Sequence, residues 1–507
     1  MAITSCRFKR SGRLRLSVLH ILTLTRSAGS AGMGTPDFGV LMFPPTGGPN
    51  SFAVLAFPDL DLGDARLDRR FADVVRAALE HPADPLPDKF HDPAGYIGCL
   101  RLLHHERVTH AALLSCHQVA VLDRLEAHPG VALFLHDTTD LDYSGHATLA
   151  GALGQIGNGG GRGYLCHNTL AVDPVTRTIF GLASQILHVR PAVGPNEPVA
   201  AKRARADRES RLWLRGLDEV GPAPAGRTWV HVADRGADTF EFLQALVDRR
   251  QAFVVRSAHD RALDIEPAAG EPDRLHDWLR AQPAQAEWAV EVGAGPGRAA
   301  RTVRMCATAH RLTVRPPHVR KGEFRRESLT VWAIRVWESD PPAGAEALEW
   351  VLLTDQPADT PERLRTVIGY YECRPIVEEY HKGQKTGAGI EKLQLHNAAS
   401  LQAAIALLSV VAVALVNLRI AGRDPSRAAE PARAHVPALW VQVLSQWRYR
   451  ADRDLTVAEF TLALGRLGGH LNRKADGLPG WQTLWRGWER LHTMLEYELS
   501  RATCVEH

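Results

Sequence analysis

Residues 131–139 read Val-Ala-Leu-Phe-Leu-His-Asp-Thr-Thr, and residues 228–234 read Thr-Trp-Val-His-Val-Ala-Asp. In each stretch a short apolar run ends at an aspartate, Asp137 in the first and Asp234 in the second. Such runs are typical of buried strands. A carboxylate at the carboxyl end of a strand points into the crevice where α/β sheets bind ligands. We therefore expect Asp137 and Asp234 to lie on neighbouring strands, where the two carboxylates can share divalent cations.

The residues around these two runs predict a mixed α/β core over 128–420. Further β-like runs occupy 164–173, 178–189, 252–258 and 349–355, and helical segments occupy about 200–217 and 238–249. Residues 260–345 interrupt this pattern with alternating segments at 286–292, 301–309, 311–315 and 329–337, which predict a β-rich insertion. The insertion is also the most basic part of the chain. Its cations are Arg298, Arg301, Arg304, Arg311, Arg315, Arg320, Lys321, Arg325 and Arg326.

The segment before the core predicts a helical domain over 53–127. Apolar residues recur at helical spacing between Leu67 and Leu79, while Arg66, Arg69 and Arg70 fall off that stripe. Arginines shown to solvent on a helical module can hold DNA phosphates. A solvated charged face explains the same arginines equally well, so DNA contact by Arg66 and Arg70 is a hypothesis at this point.

The two ends of the chain and one apolar segment need separate interpretation. Residues 1–52 hold a basic stretch and a short apolar run that resemble a secretory signal. His20 and Thr23 break the apolar run, which favours a disordered leader or an over-extended start instead. Residues 401–418 are apolar throughout and predict a buried core helix rather than a membrane span. Residues 421–507 predict a helical, dimerising region. Its tryptophans, which suit a core, a dimer surface or both, are Trp440, Trp447, Trp481, Trp485 and Trp488.

The overall composition sets broad limits. The 507 residues suggest two to four structural units, and hydrophobic residues make up 45% of them, which suits a sizeable core. The net charge of +3 neither requires nor excludes nucleic acid. Seven scattered cysteines without a C-x-x-C pair argue against a disulfide framework or a zinc site, and they fit a reducing cytoplasm.

A third acid, Glu378, lies in a segment that predicts a helix. Pro375 suits a first helical turn and places Glu378 one turn inside. Arg374, Lys382 and Lys385 are spaced so that they share a helix face with Glu378, which would place a carboxylate among cations suited to phosphates. From spacing alone, a surface helix with ordinary charge pairs explains Glu378 equally well or better.

The stretch from Tyr371 to Lys385 reads Tyr-Glu-Cys-Arg-Pro-Ile-Val-Glu-Glu-Tyr-His-Lys-Gly-Gln-Lys and continues into Thr-Gly-Ala-Gly. It resembles the Y-x2-R-x3-E-x6-K signature of bacterial insertion-sequence transposases of the insertion-sequence-four type, the DDE-class family that includes the Tn-five transposase. The family's D-T-T segment is matched at Asp137, and its D-R-E-A-D segment is matched at Asp234, with Gly236 in place of the glutamate. The resemblance runs from about 57 to 497.

This resemblance implies an RNase H-like catalytic core with a β-rich insertion, an N-terminal helical DNA-binding domain and a C-terminal helical domain. It implies that Asp137, Asp234 and Glu378 hold two Mg²⁺ ions, for which Mn²⁺ can substitute, and that the ions drive phosphoryl transfer. It also implies DNA contacts beyond the acids. These residues are Tyr371, Arg374, Lys385, Lys382, Arg256 and Trp350, the last by stacking on a flipped base.

The implied activity is cut-and-paste transposition at terminal inverted repeats, by strand nicking, hairpin formation and opening, and strand transfer into target DNA. The expected partners are double-stranded DNA and a second copy of the chain in a synaptic dimer. We expect no membrane, and a cytoplasmic location with association to the nucleoid. Two alternatives stay open: an inactive or domesticated DNA-binding relative, and a simple RNase H-like nuclease or resolvase. A two-carboxylate glycosidase is a remote third.

Overall fold

The structure, a computed structural model, describes most of the chain beyond its first 52 residues. The leader predicted at 1–52, and the insertion residues Arg298, Arg320, Lys321, Arg325 and Arg326, lie outside the described residues. The described ranges are 53–90, 92–149, 151–191, 197–198, 201, 204–266, 272–292, 301–317, 327–342, 347–473 and 476–505.

A single mixed sheet runs through the described part of the chain. Its strands are β1 Val131–Asp142, β2 Gly154–Gln155, β3 Arg162–Val172, β4 Ile179–His188, β5 Thr228–Ala233, β6 Ala252–Arg256, β7 Ala286–Val292, β8 Arg301–Val314, β9 Leu329–Glu338 and β10 Glu349–Thr354. The spatial order is β2-β3-β1-β5-β6-β10-β9-β8-β7, and β4 also pairs with β3. Only the β1–β5 and β5–β6 pairings are parallel among the described strands.

Helices cover this sheet and form both ends of the described chain. They are α1 Ala65–Glu80, α2 Pro93–Leu103, α3 His110–Ala127, α4 Leu212–Val220, α5 Phe240–Asp248, α6 Leu275–Arg280, α7 Pro361–Glu372, α8 Pro375–Lys382, α9 Ala398–Ala421, α10 Pro425–Ala428, α11 Ala438–Tyr449, α12 Val457–Leu467 and α13 Trp481–Val505. The mixed α/β class predicted from the sequence is confirmed.

Helix α1 illustrates how the sequence sets these elements. The Asp64 side chain accepts a hydrogen bond from the Arg66 amide and so caps the helix start. The buried residues of α1 include Phe71, Val74 and Leu79, which confirms the apolar stripe read from the sequence.

Two sequence predictions were wrong in detail. The runs at 301–309 and 311–315 form one strand, β8, because pairing with β9 continues through Arg311, opposite Trp332. The helix predicted at about 200–217 is interrupted, and α4 begins only at Leu212, after a 3-10 turn. The backbone of Arg208 is extended, and its guanidinium pairs with Glu241 on α5, so a long-range contact ends the helical run.

Helix α9 confirms the predicted core helix. By length and composition it could cross a membrane, but 89% of its most apolar window is buried inside the protein. It packs against α1, α3 and β4. Burial of an all-round apolar helix of this kind contributes a large share of the hydrophobic stabilisation of a fold.

Helix α13 packs against the segment that follows α8. Trp485 and Trp488 are 5% and 1% exposed, so they serve as core residues within the chain, while a dimer surface in this region stays a prediction. A methyl group built on Gly387 would lie 2.2 Å from Cζ2 of Trp485. Gly389 has a positive φ of 62° and lies against the Ala83 carbonyl. The Thr-Gly-Ala-Gly tail is thus fixed by packing on two other parts of the chain.

We predict that Gly387→Ala lowers the free energy of unfolding by about 1–3 kcal/mol, because the added methyl overlaps a buried indole. Urea denaturation measures this loss. Gly159→Ala is the matched control, since a methyl there meets nothing within 4 Å and the change should stay within about 0.5 kcal/mol. Equal effects at the two positions would contradict the packing explanation.

A histidine joins the end of α1 to α13. Nε2 of His81 lies 3.0 Å from a Glu496 carboxylate oxygen, and Nδ1 lies 3.5 Å from Asp84. The hydrogen bond with Asp84 and the charge of Glu496 raise the pKa of His81 against the opposing effect of burial. The charged imidazole therefore stabilises the folded chain below the ordinary histidine pKa of 6.5, and this contribution is lost as the pH rises through the folded-state pKa.

We predict that His81→Gln costs up to about 1 kcal/mol of stability at pH 5.5 and less at pH 8.5, because the ion pairs need the protonated ring. Urea denaturation at both pH values compares the variant with the unaltered protein. His104→Gln serves as control, since His104 is exposed and its ring contacts the Leu100 carbonyl. If the difference in free energy of unfolding between the unaltered protein and His81→Gln grew as the pH rose, the proposed role of the charged imidazole would be refuted.

Candidate active site

The parallel pairing of β1 and β5 brings the first two acids together. The last register pair of the two strands is His136 with Ala233. Asp137 is the next residue of β1, and Asp234 is the first residue after β5. The expectation that Asp137 ends its strand was wrong, because β1 continues to Asp142 along β3. Asp137 instead lies where the parallel neighbour stops, which still leaves its carboxylate at the carboxyl end of β5.

Backbone amides orient both aspartates. Oδ1 of Asp137 accepts from the Thr138 amide at 2.9 Å, and Oδ1 of Asp234 accepts from the Gly236 amide at 2.8 Å. In each case the second oxygen, Oδ2, faces the same guanidinium, that of Arg374, the residue just before α8. The two aspartates thus present one oxygen each to a shared space.

The third acid, Glu378, lies on α8, which packs against β1. The buried face of α8 includes Val377 and Tyr380, and the Tyr380 hydroxyl donates to the Ser409 carbonyl on α9. Glu378 lies in the first turn of the helix, and its side chain is 48% exposed. The helix is held from its apolar side, and Glu378 projects towards the aspartates from the other.

The Arg374 guanidinium lies between the three acids. Nη2 is 3.1 Å from Oδ2 of Asp137 and 3.5 Å from Oδ2 of Asp234, while Nη1 donates to Glu378. The side chain is only 14% exposed. The structure thus brings Asp137, Asp234, Glu378 and Arg374 together, as the sequence pattern required, although they come from widely separated parts of the chain.

Burial and charge act together at this site. Burial raises the pKa of Asp137 to about 6, and the nearby carboxylates of Asp234 and Glu378 add to that rise, while Arg374 and the Thr138 amide oppose it. Burial alone would lower the pKa of Arg374, but the three carboxylates outweigh it and raise that pKa. Burial and the neighbouring carboxylates therefore destabilise the Asp137 anion, and Arg374 acts against both effects.

This arrangement bears on metal binding. Within the described part of the chain, no three His, Cys, Asp or Glu side chains enclose one point closely enough to hold an ion. The positive charge between the carboxylates is supplied by Arg374 instead. Mg²⁺ prefers oxygen ligands such as carboxylates, so the three acids suit this ion chemically. The Arg374 guanidinium would have to move out of the space between them for the ion to bind.

His381 is a contact that the sequence did not single out. It lies three residues after Glu378 on α8, and Nδ1 is 3.7 Å from Oδ2 of Asp137. Burial, with nearby cations, lowers the pKa of His381 to about 3, so the ring is neutral. His136, the residue before Asp137 on β1, is buried and hydrogen-bonded to His231 at 2.9 Å.

An aromatic pair lies beside the acids. Tyr371 and Trp350 contact each other with ring centroids 5.7 Å apart, and Trp350 is partly exposed on β10. Burial raises the pKa of Tyr371, although Arg256 and Arg374 act against that rise, which places both arginines near the phenol. Arg256 also donates to the Glu349 carbonyl at 3.2 Å.

The two lysines of the pattern do not point at the acids. Lys382 pairs with Glu379 at 2.9 Å, and Lys385 lies 3.5 Å from Glu391. The expectation that Lys385 shares a helical face with Glu378 was wrong in its geometry. A π turn over Gly383–Gly387 follows α8 and changes the helical register before Lys385 is reached.

Glu379 anchors the same helix from its outer side. Its carboxylate accepts from Arg419 on α9, from Lys382, and from the Trp481 indole at 2.8 Å. The sequence showed Trp481 only as one member of a tryptophan series. No local signal could reveal that it holds the acid-bearing helix.

The predicted basic surfaces differ in character. On α1, Arg66 is exposed, whereas Arg70 is half-buried against Gly98 of α2. In the insertion, arginines with acidic partners are Arg301 with Glu338, Arg304 with Asp340 and Arg315 with Asp264, while Arg311 is exposed. Ion pairs thus neutralise much of the positive charge that the sequence predicted for the described part of the insertion.

Residues 49–108 match the family model for the transposase DNA-binding domain. Within the described residues this range covers α1, α2 and the turns that follow them, the helical segment in which the sequence predicted DNA contact. The match supports a transposase that binds DNA.

Proposed function

We propose that the protein is a cut-and-paste DNA transposase whose phosphoryl-transfer centre is formed by Asp137, Asp234 and Glu378. The observation that carries this proposal is the convergence of the three carboxylates on Arg374, within a chain that carries a transposase DNA-binding segment. A DDE transposase of the insertion-sequence-four type, like the Tn-five transposase, needs three such acids.

The sheet supports the same proposal. Strands β4, β3, β1, β5 and β6 lie side by side, with β3 antiparallel to β1 and with β5 and β6 parallel to it. This is the strand arrangement expected of an RNase H-like core. The strands of the basic insertion, β7 to β9, extend that sheet beyond β10 rather than forming a separate one.

The cofactors in this proposal are two Mg²⁺ ions, for which Mn²⁺ can substitute, held by Asp137, Asp234 and Glu378. Bound there, they would activate an attacking oxygen and stabilise the leaving 3′ oxygen. The protein's own groups do the rest. Asp137 and Asp234 keep fixed orientations because backbone amides hold their Oδ1 atoms. Arg374 offers a planar pair of donors that suits a phosphate as well as a carboxylate.

The remaining DNA contacts in the proposal surround the acids. Tyr371, Arg256 and Trp350 form one group beside Arg374 and would hold the terminal nucleotides, with the exposed part of Trp350 free to stack on a base. Lys385 and Lys382 would hold phosphates as point charges. Arg66 and Arg70, within the matched DNA-binding segment, would contact the backbone of the terminal repeat.

The proposed reaction sequence uses no covalent bond to the protein. Water cleaves one phosphodiester and leaves a 3′-OH. That hydroxyl attacks the opposite strand to form a hairpin, water reopens the hairpin, and the 3′ ends attack target DNA. The proposal includes a synaptic homodimer and action at the nucleoid of a bacterial cytoplasm.

We predict that Asp137→Asn, Asp234→Asn and Glu378→Gln each reduce Mg²⁺-dependent cleavage of DNA carrying the native flanking repeats by at least about 100-fold. Loss of even an outer-shell partner of a metal ligand costs roughly 10–100-fold, so loss of a ligand should cost more. Binding to the same DNA, measured by gel shift, should persist because the DNA-binding segment is intact.

Glu362→Gln, an exposed glutamate in the first turn of α7, is the matched control and should cleave normally. Intact DNA with the unaltered protein, with binding retained, would indicate an inactive relative. Cleavage without joined products would indicate a simple nuclease. Either result would overturn the proposal.

We also predict that Arg374→Gln strengthens metal binding while it weakens DNA cleavage. Without DNA, Mg²⁺ or Mn²⁺ must displace a guanidinium that contacts all three acids, and the variant lacks that competitor. The thermal midpoint of Arg374→Gln should therefore rise at lower Mn²⁺ concentrations than that of the unaltered protein.

Arg365→Gln is the control for this experiment, because Arg365 lies on α7 and contacts Trp288 and Glu372 rather than the acids. Its Mn²⁺ response should match that of the unaltered protein. An identical Mn²⁺ response in Arg374→Gln would show that the three carboxylates are not the metal site.

A further inference from the structure

A buried network of polar side chains adjoins the strand of Asp137 and the helix of Glu378. Its members come from separate parts of the chain and are at most 2% exposed. They are Asn168 on β3, Gln185 on β4, Gln384 in the π turn and Ser409 on α9. His110, the first residue of α3, joins the network at its edge, where Gln185 Oε1 accepts from His110 Nε2 at 3.2 Å.

Every amide nitrogen and oxygen in this network has a partner. Asn168 Nδ2 donates to Gln384 Oε1 at 3.2 Å, and Gln384 Nε2 donates to the Ser409 hydroxyl oxygen at 2.8 Å. Gln185 Nε2 donates to Asn168 Oδ1 and to the same Ser409 oxygen, both at 2.9 Å. Because a buried amide without partners is costly, this arrangement strongly favours one placement of Gln384.

Two members of the network are close neighbours of site residues. Asn168 is the register partner of Asp137 across the β1–β3 pairing. Gln384 lies one residue before Lys385 and six after Glu378, in the turn where α8 gives way to π geometry. The bond between Asn168 and Gln384 therefore ties β3, the strand paired with acid-bearing β1, to the turn that directly follows the helix of Glu378.

The π turn needs such a tie. Its i+5 hydrogen bond, from the Ala388 amide to the Gly383 carbonyl, measures 2.7 Å. Single π turns of this kind are rare and occur frequently at functional sites. In a regular α-helix the Ala388 amide would instead donate to the Gln384 carbonyl, so the π turn changes the backbone pairing at Gln384 itself.

We propose that Gln384 is a positioning residue, whose buried amide holds the π turn and thereby sets Glu378 and Lys385 relative to Asp137. The side chain of Gln384 bonds to Asn168 and Ser409 and contacts none of the three acids. This inference rests on the proposed function, because its consequence is a correctly spaced set of groups for DNA cleavage.

The test compares Gln384→Met with Gln244→Met, a control that removes a buried glutamine from α5, outside the network. Three quantities are measured well below every thermal midpoint: affinity for terminal-repeat DNA, the single-turnover cleavage rate with saturating protein, and hydrogen exchange of the 383–388 amides. Single-turnover rates separate the chemical step from binding.

We expect Gln384→Met to cleave about 10–100-fold more slowly at unchanged DNA affinity, as for other outer-shell substitutions, and to exchange its 383–388 amides faster. Gln244→Met should match the unaltered protein in all three. The swap Asn168→Gln with Gln384→Asn keeps the combined side-chain length and should recover at least part of the lost rate. An unchanged rate in Gln384→Met, or no recovery in the swap, would overturn the proposal.

If Gln384→Met does not fold, the pair Asn168→Leu with Gln384→Met carries the test, because removing both partners leaves fewer unpaired groups. A native fold with slow cleavage supports positioning, and normal cleavage refutes it. Should the unaltered protein fail to cleave, the proposed function falls. Hydrogen exchange still decides whether Gln384 holds the turn, since unchanged exchange in Gln384→Met would refute that separately.

Discussion

Three carboxylates and one guanidinium share a half-buried space where β5 ends, and the surrounding fold is arranged around that balance of charge. Burial raises the pKa of Asp137 to about 6, and the carboxylates of Asp234 and Glu378 add to that rise, so a nearby cation helps to keep Asp137 ionised. Arg374 supplies it here. When DNA is bound, a divalent ion could neutralise the three carboxylates in place of Arg374. The guanidinium would then be available to pair with a DNA phosphate.

The acids depend on two kinds of support that differ in origin. Parallel pairing of β1 with β5 fixes Asp137 and Asp234 through the backbone, so their spacing follows from the sheet itself. Glu378 has no such backbone tie to the sheet. Its helix is held by side chains instead: Glu379 with Arg419 and Trp481, Tyr380 with the Ser409 carbonyl, and Gln384 with Asn168. Side-chain support of this kind can be altered residue by residue.

The sequence predicted the parts of this fold that local pattern controls. The apolar runs of β1 and β5, the stripe of α1 and the all-apolar α9 appear as expected, because periodicity and length reflect burial directly. Asp137 and Asp234 were indicated by the apolar runs that end at them, whereas Glu378 and Arg374 were distinguished from an ordinary surface helix only through the resemblance to a known motif. The continuation of β1 past Asp137, the break before α4 and the π turn at Lys385 were missed. Each depends on a distant partner, β3, Glu241 or Asn168, that no local window contains.

The DNA-binding segment contacts α13 and the residues that follow the π turn, and this has a consequence for how DNA could reach the site. At the end of α1, the Leu79 carbonyl accepts a hydrogen bond from the Trp488 indole. Lys392, just beyond the π turn, donates to the Ala83 carbonyl. Gly389 lies against that same carbonyl. DNA held on α1 and α2 would therefore have a set orientation relative to Glu378. On the proposed function, the packing of these glycines and tryptophans would determine which phosphodiester meets the acids, although none of them needs to touch DNA.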